Sequence, residues 1–267
     1  MKYPDDFINK VICGDCLEVM KDLPDKSVDL VLTSPPYDNL RDYQDYSFDF
    51  EGIAKELFRV IKQGGVMVWV VGDMMVDGSE TGTSFNQAIY FKEIGFNLHD
   101  TMIYKKNGIS FPNPLRYHQC FEYMFVFSKG QPKTVHLIED RKNSLAGEVK
   151  NGRWERQKSG KIKLRAKENY SMKEVGARWN IWEYEIGYNK STKDKLAFEH
   201  PAMFPEALAA DHIKSWTNEE DLILDPFNGS GTTTKMAKLL KRNFIGIEIS
   251  PKYCKIAEER LRQEILL

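Results

Sequence analysis

The sequence contains few of the residues that define metal or disulfide proteins. It has four cysteines among 267 residues, and the Cys-x-x-C pair of Cys13 and Cys16 has no second pair to complete a zinc site. The five histidines have no metal-ligand spacing. We therefore expect no metal. A redox role for the pair is an alternative, but we expect Cys13 to lie in a strand and face the core.

Long apolar runs and a strong net charge are also absent. The longest uncharged apolar run, residues 66–71, is far too short to cross a bilayer, and the N-terminus has no signal-peptide pattern. The net charge is −1, so the chain as a whole does not resemble a general polyanion binder. A length of 267 residues suits one α/β domain with an insertion. We expect a cytoplasmic protein that makes no membrane contact.

The most informative motif is Ser34-Pro35-Pro36-Tyr37, which follows a predicted apolar strand over residues 28–33. Each proline fixes its own φ, has no N–H and keeps the preceding residue out of helical geometry. The segment is therefore stiff and extended, with carbonyls that meet few internal donors. It could hold a flat ring against Tyr37, with the hydrogens of an NH2 group directed at the Ser34 oxygen and the Pro35 carbonyl. The alternative is a polyproline segment that binds another protein.

A second motif occupies residues 221–234, where an apolar strand runs into a turn with Gly229 and Gly231 and then into a helix that begins at Thr232. The glycines permit a sharp turn and close approach of a ligand, and the helix start attracts an anion. The next strand ends in Glu248, and an acid at this place in a doubly wound sheet binds a ribose. Together these features predict a pocket for a nucleoside-bearing cofactor. The alternative is an ordinary strand–turn–helix unit.

The glycine turn also limits which cofactor is expected. The dinucleotide fingerprint requires a third glycine where this chain has Thr234, and the Gly-Lys-Ser/Thr of a phosphate loop is absent. A single carboxylate is enough for the helix start. S-adenosylmethionine supplies one carboxylate, one ribose and no phosphate, and it is the cofactor that we predict.

In this order, the two motifs resemble those of the β class of DNA amino-methyltransferases, in which the catalytic motif precedes the cofactor motif. Residues 14–16 and 200–208 resemble further segments of that family, and only about residues 130–195 lie outside the resemblance. It implies a circularly permuted S-adenosylmethionine-dependent methyltransferase fold of the α/β class, with helices on both faces of a mostly parallel sheet. The implied parts are a catalytic half (1–129), an inserted target-recognition region (130–195) and a cofactor-binding half (196–267). The alternation of strands and helices along the chain favours the same fold class.

The resemblance also assigns roles to matching residues. Asp225 would lie near the amino group of the cofactor, Glu248 at its ribose and Asp15 at its adenine, while His200 and Phe204 would help to close the pocket. The clamp for the amino nitrogen comprises Ser34, Pro35, Pro36 and Tyr37. The cofactor-binding residues comprise Asp15, Asp225, Phe227, Gly229, Gly231, Thr232, Glu248, His200 and Phe204.

The region 130–195 differs in composition from the rest of the chain. Ten Lys or Arg residues lie between positions 141 and 167, with Glu148 and Glu155 as the only acids, and several Trp and Tyr residues lie within or just after this stretch. Cations contact phosphates, and aromatic or polar groups contact bases. A solvated basic loop is the alternative. The predicted DNA contacts are Arg141, Lys142, Arg153, Arg156, Lys158, Lys161, Lys163 and Arg165.

The sequence therefore predicts methyl transfer to an exocyclic amino nitrogen of a base that is flipped out of double-stranded DNA. Serine at the first motif position is typical of family members that modify cytosine N4, so we favour cytosine N4 over adenine N6. The chain has no Pro-Cys nucleophile motif, which agrees with a reaction without a covalent enzyme intermediate. An RNA or protein methyltransferase and an inactive DNA-binding relative are the alternatives. The resemblance leaves open a cognate restriction endonuclease and a homodimer as further partners.

Overall fold

The computed structural model describes residues 1–36, 48–108 and 114–263, and of residues 150–153 and 165–170 it describes the backbone alone. These residues form two compact units. The core unit comprises residues 1–136 and 180–263, and the insertion unit comprises residues 137–179. Each unit is described by itself.

The core unit alternates strands and helices, as predicted. Its helices are Cys16–Lys21 (α1), Phe50–Val60 (α2), Thr83–Glu93 (α3), Glu206–Trp216 (α4), Thr232–Leu239 (α5) and Pro251–Arg262 (α6). Strands up to the insertion are Lys10–Cys13 (β1), Val28–Thr33 (β2), Ile61–Val71 (β3), Met75–Val76 (β4), Ser79–Glu80 (β5), Asn97–Lys106 (β6) and Phe121–Ser128 (β7). The insertion unit contains Glu139–Lys142 (β8), Val149–Arg156 (β9), Ile162–Ser171 (β10) and Val175–Ala177 (β11). The remaining strands of the core unit are Ile181–Tyr184 (β12), Leu222–Asp225 (β13) and Asn243–Glu248 (β14).

Eight strands of the core unit form one sheet in the order β1-β14-β13-β2-β3-β7-β6-β12. The first five strands in this order are parallel neighbours, and β7 is antiparallel to both β3 and β6. The carboxyl ends of β1, β14, β13, β2 and β3 therefore meet at one side of the sheet, which we call the carboxyl edge. This arrangement confirms the predicted α/β fold with a mostly parallel sheet.

Apolar side chains on the central strands form the core. Leu30, Val31 and Leu32 of β2 have no solvent exposure, as expected of a parallel strand that is covered on both faces. Trp69 of β3 packs edge-on against Phe91 of α3, with ring centroids 5.1 Å apart. Aromatic pairs of this geometry add about 0.5–1.5 kcal/mol to the stabilisation that comes from burial.

The insertion unit is built from two antiparallel pairs, β9 with β10 and β8 with β11. It is shorter than the predicted region 130–195, because β12 pairs with β6 in the main sheet and residues 180–195 belong to the core unit. The functional division of the chain into three parts stays a prediction.

Two local predictions were wrong. The helical spacing of Ile53, Leu57, Val60 and Ile61, followed by two glycines, predicts a helix that ends at Gly64-Gly65. Helix α2 instead ends at Val60, because Ile61 is extended (φ −69°, ψ 133°) and pairs with Val28 in the sheet. Cys13 was expected to face the core, but it is exposed. Side chains alternate across a strand, and Ile12 occupies the core face of β1, so its neighbour faces outward.

Two kinds of feature are not found within the described ranges. None of the helices there is long and apolar enough to cross a bilayer. No three His, Cys, Asp or Glu side chains of those residues are grouped so that they could hold a metal ion.

Candidate functional site

The carboxyl edge brings together segments that are distant in the sequence. Leu30 and Val31 of β2 pair with Ile223 and Leu224 of β13, so the Ser34 segment and the glycine turn leave adjacent parallel strands in the same direction. On the other side of β13, β14 ends at Glu248, which pairs with the last residue of β1. The segment that contains Asp15 therefore begins beside Glu248.

A buried hydrogen bond joins the strand before Ser34 to the strand before the glycine turn. Thr33 Oγ1 donates to Asp225 Oδ1 over 2.6 Å, and both residues are buried. Thr233 Oγ1, in the first turn of α5, donates to the Leu32 carbonyl over 3.1 Å. These bonds hold the end of β2 against both β13 and α5.

Asp225 is an unusual carboxylic acid because it is buried beside a second acid. Burial, with a smaller contribution from the charge of Glu248, raises its pKa to about 6, although hydrogen bonds from Thr33, Thr233 and the Phe227 amide oppose that change. The Phe227 N–H donates to Asp225 Oδ1 over 3.1 Å. Two buried acids in one place favour a ligand with positive charge, since such a ligand would stabilise their ionised forms.

Glu248 fixes the glycine turn through backbone amides. Its Oε2 accepts from the Gly229 N–H over 2.8 Å, and its Oε1 accepts from the Ser250 N–H over 2.9 Å. Burial raises the pKa of Glu248, and these amide donors oppose the shift. A carboxylate has about four acceptor positions, so it can bind a further donor beside these amides. The role of Glu248 as a ribose ligand stays a prediction.

The turn itself depends on glycine at two positions. Gly229 and Gly231 both have positive φ, 49° and 81°. A Cβ on Gly231 would come within 2.9 Å of the Ala257 side chain, and a Cβ on Gly229 would come within 3.0 Å of the His200 ring. His200 therefore covers the turn, and its ring also contacts Tyr253 at a centroid distance of 4.4 Å.

Helix α5 begins directly after this turn. Gly231 is its N-cap and supplies no side-chain hydrogen bond, and the first helical residue, Thr232, is buried. Asn228 is also buried, and its Nδ2 has no hydrogen-bond partner among the residues that the structure describes. An uncapped helix start beside an unsatisfied donor suits a ligand that contains a carboxylate.

The other predicted cofactor residues occupy less enclosed positions. The half-buried ring of Phe227 lies 5.7 Å from Phe48 and 6.3 Å from Trp69, centroid to centroid. Phe204 is half-buried in the segment before α4. The carboxylate of Asp15 caps α1 and accepts from the amides of the second and third residues after it, over 2.7 and 3.2 Å. A contact between Asp15 and adenine stays a prediction.

The Ser34 segment is described only in part. Pro35 is buried, and Ser34 and Pro36 are half-buried. Tyr37 lies outside the described residues. The clamp is therefore supported by the place of its first three residues at the carboxyl edge, and its function stays a prediction.

The predicted DNA-contacting residues lie in the insertion unit. Arg141 is half-buried, its Nε donates to the Ala177 carbonyl over 3.0 Å, and its guanidinium lies 5.3 Å from the centre of the Trp179 ring. Trp154 is 64% exposed on the β9–β10 hairpin. Lys142, Arg156, Lys158, Lys161 and Lys163 are exposed, whereas the side chains of Arg153 and Arg165 are not among those described.

Sequence reasoning missed two residues that hold the site together. Thr33 was treated as a strand residue, and nothing in the sequence indicated its bond to Asp225. Arg260 was missed because α6 is rich in charge. It nevertheless follows Ile256 and Ala257 at helical spacing, so it lies on the buried face of the helix and has only 1% exposure.

Comparison with known proteins places the chain among enzymes that methylate DNA. Residues 28–259 match the model of the N6/N4 DNA methylase family. The orphan methyltransferase M.BamHII of Bacillus amyloliquefaciens is 58% identical over 247 residues, which cover 92% of this chain and 93% of that protein. The type II methyltransferase M.BglII of Bacillus subtilis is 27% identical over 283 residues, which cover 98% of this chain and 71% of that protein.

Two solved structures have the same fold. The PvuII DNA methyltransferase, which is described as cytosine-N4-specific, has a TM-score of 0.67 and 21% identity, with coverage of 96% of this chain and 87% of that one. The complex of M1.HpyAVI with S-adenosylmethionine has a TM-score of 0.63 and 23% identity, with coverage of 95% and 99%.

Proposed function

The chain belongs to the N6/N4 DNA methylase family, and we propose that it transfers a methyl group from S-adenosylmethionine to the exocyclic amino nitrogen of a flipped DNA base. The observation that supports this most strongly is the buried bond between Thr33 and Asp225, with the pairing of β2 and β13. These contacts hold the Ser34 segment beside the glycine turn. A site for the methyl donor and a site for the amino group would then share one cleft.

The residues around the glycine turn suit S-adenosylmethionine. The uncapped start of α5 would receive its carboxylate, Asp225 its amino group and Glu248 its ribose. Phe227, Gly229, Gly231 and Thr232 would surround its methionine part. Burial raises the pKa values of Asp225 and Glu248. A cationic ligand beside these two acids would stabilise their ionised forms. When bound, this cofactor supplies a methyl group on a positively charged sulfur.

The Ser34 segment would prepare the amino nitrogen for attack. That nitrogen is conjugated with its ring and is a poor nucleophile. Hydrogen bonds from its two hydrogens to the Ser34 oxygen and the Pro35 carbonyl would weaken the conjugation and direct the lone pair toward the methyl carbon. The bound cofactor would supply that carbon, with its carbon–sulfur bond broken as the nitrogen–carbon bond forms, and a proton would leave the nitrogen for solvent. Positioning and electrostatic stabilisation are the main sources of catalysis in this scheme.

Flipping the base costs about a few kcal/mol, and stacking on an aromatic ring returns on the order of 1–3 kcal/mol. We assign the stacking to Tyr37. Serine in the first motif position supports cytosine N4 as the acceptor. Adenine N6 is the second candidate, since its amino group presents the same two hydrogens to the clamp.

The exposed cations of the insertion unit supply a face for the DNA backbone. Lys158 and Lys161 lie in the turn of the β9–β10 hairpin and Lys163 follows on β10, all three exposed. Trp154, on the same hairpin, presents a large ring to solvent. Cations contact phosphates in any sequence, so these lysines would contribute affinity rather than sequence choice. A cognate endonuclease, a second copy of the chain and a cytoplasmic location stay predictions.

A methyl-labelling experiment tests the proposed function. The purified chain is incubated with S-adenosylmethionine labelled in its methyl group and, separately, with DNA, RNA or protein. The DNA is then digested, and its nucleosides are separated. We expect label in DNA as N4-methylcytosine. Label in N6-methyladenine alone would overturn the choice of base, and label in RNA or protein alone would overturn the choice of substrate.

Long-read sequencing of DNA from cells that express the chain would then give the modified base and its sequence context together. A chain that binds DNA without transferring label would be an inactive relative, and the proposal would fail.

A further inference from the structure

We propose that Arg260 is a positioning residue that sets the shape of the cofactor pocket without contacting the cofactor. It acts through a buried cluster of charged side chains, which comprises Asp194, Glu206, Lys235 and Arg260. This inference rests on the proposed function, because it assumes that the glycine turn binds S-adenosylmethionine. Arg260 belongs to α6, and its side chain has no solvent exposure.

Arg260 holds the glycine turn directly. Its Nη1 donates to the Ser230 carbonyl over 2.6 Å and contacts the Ser230 hydroxyl over 3.2 Å. Ser230 lies between Gly229 and Gly231, both of which have positive φ. Glycine permits many backbone conformations, so this turn needs an external contact to select one of them. The guanidinium supplies that contact at the peptide unit that leads into α5.

The same guanidinium holds both ends of the segment that covers the turn. Its Nε donates to Asp194 Oδ2 over 2.8 Å, and its Nη2 donates to Glu206 Oε1 over 2.7 Å. Asp194 and Glu206 flank the segment that contains His200 and Phe204. His200 lies against Gly229. One side chain therefore fixes the floor of the predicted pocket and the segment over it.

Lys235, in the first turn of α5, completes the cluster. Its Nζ lies 3.3 Å from Asp194 Oδ2 and 2.9 Å from Glu206 Oε1, and it is 7% exposed. Burial alone would raise the pKa of Asp194, but hydrogen bonds from Arg260 and Gln263 and the nearby positive charges hold that pKa below its ordinary value. The cluster therefore contains two cationic and two carboxylate side chains, whose formal charges balance.

The energetics favour positioning over stability as the role of this cluster. Removing charges from water costs about as much as their attraction returns, so a buried ion network gives little net stability over an apolar core. Its geometry is nevertheless specific, because the planar guanidinium has donors in fixed directions. A network that bonds the turn and both ends of the covering segment can therefore set the shape of the pocket.

The test compares Arg260 with a matched arginine away from the site. Arg242 also donates to backbone carbonyls, those of Leu240 and Thr217, but it precedes β14 and lies at the opposite edge of the sheet from Glu248. Arg260→Met, Arg260→Lys and Arg242→Met are compared for thermal unfolding, for binding of S-adenosylhomocysteine by calorimetry, and for the kcat and KM of methyl transfer. All binding is measured at a temperature at which each variant is folded.

We expect Arg260→Met to weaken S-adenosylhomocysteine binding and to raise the KM for S-adenosylmethionine about tenfold or more, with a smaller change in kcat. Arg260→Lys keeps the charge but donates from a single nitrogen rather than from three nitrogens in fixed directions. Its affinity for S-adenosylhomocysteine should therefore fall between those of Arg260→Met and the wild type. If Arg260→Met does not fold, Arg260→Lys provides the binding measurement. Arg242→Met should lower the unfolding temperature and leave binding unchanged.

Wild-type binding in both Arg260 variants would overturn the proposal and leave the cluster a structural feature. An equal loss of binding in Arg242→Met would overturn it as well. Failure of the wild-type chain itself to bind S-adenosylhomocysteine would instead refute the proposed cofactor, so the two failures are distinguishable.

Discussion

The hydroxyl of Thr33 donates a hydrogen bond to the carboxylate of Asp225 across 192 positions of sequence. Replacing Thr33 by valine keeps the shape of the side chain and removes the donor. Because the Asp225 carboxylate is buried, the loss should cost on the order of 1–3 kcal/mol in the free energy of unfolding. Urea denaturation measures this cost. Thr33→Ser keeps the hydroxyl and is the control, and equal stability of all three proteins would show that the bond contributes nothing.

Cofactor binding should depend on pH through Asp225. Its pKa is about 6 in the folded protein, so it becomes protonated as the pH falls through that value. A protonated Asp225 cannot attract the amino group of S-adenosylmethionine. We therefore expect the affinity to be full at pH 8 and to fall about tenfold for each pH unit well below 6. Calorimetry at several pH values measures it, and Asp225→Asn should bind weakly with little pH dependence from this group.

The stability of the free protein should change with pH in the opposite direction. Since the pKa of Asp225 is higher in the folded than in the unfolded state, the folded state binds more protons between about pH 4 and 6. The contribution of Asp225 to the free energy of unfolding therefore rises as the pH falls through this window, by on the order of 2–3 kcal/mol. The difference between wild type and Asp225→Asn isolates it from other carboxylates. A difference that is constant with pH would contradict the raised pKa.

Ser34→Ala should separate binding from chemistry. The change removes one of the two proposed acceptors for the amino hydrogens, so the single-turnover rate should fall on the order of 10²-fold, while S-adenosylhomocysteine affinity stays near wild type. Ser27→Ala is a matched control, because the Ser27 hydroxyl bonds the Pro24 carbonyl at the other end of β2. Wild-type turnover in Ser34→Ala would refute the clamp.

Glu248→Gln should weaken cofactor binding. The amide keeps the size of the side chain, but its NH2 group would face one of the two backbone N–H donors that the carboxylate now accepts from. It also removes the charge proposed to bind the ribose, so we expect a loss of tenfold or more in S-adenosylhomocysteine affinity. Unchanged affinity by calorimetry would remove the ribose assignment.

The basic hairpin should contribute salt-dependent DNA affinity. Lys158→Ala combined with Lys161→Ala removes two predicted phosphate contacts, so the slope of log K against log salt should decrease by about 1.8. Binding of S-adenosylhomocysteine should not change. The control is a second double variant, Lys92→Ala with Lys214→Ala. It removes the same amount of charge from exposed positions of α3 and α4. If both double variants changed the slope equally, the hairpin would have no special role.

Much of the secondary structure of the core unit can be predicted from local sequence patterns. The apolar run of β2 was predicted with its observed bounds. Aspartate is a favoured N-cap and proline a favoured first helical residue, so the cap at Asp15 and Pro251 at the start of α6 also agree with local sequence preferences. Parallel strands place their carboxyl ends together, so the shared edge of Ser34 and Gly229 follows from the alternation of strands and helices along the chain.

Other features depend on tertiary contacts that no local pattern records. The strands of the insertion unit are rich in charge, and only β10 alternates apolar with charged residues, at Ile162, Leu164 and Ala166. The early end of α2 depends on the pairing of Ile61 with Val28, and β12 is a strand because β6 lies beside it. The bonds of Thr33 and Arg260 likewise join residues that are remote in sequence.

The chain leaves the core unit after His136 and rejoins it at Asn180, and each of these residues is held in the core unit by a hydrogen bond between backbone atoms. The His136 N–H donates to the Ser215 carbonyl over 2.8 Å, and the Asn180 carbonyl accepts from the Ile103 N–H over 2.8 Å. Both bonds join backbone atoms of the core unit, and neither involves a residue of the insertion unit, residues 137–179. A different inserted segment could therefore replace this one during evolution while both anchoring bonds are kept. Positions 136 and 180 are accordingly the points between which a foreign segment would be grafted in the laboratory.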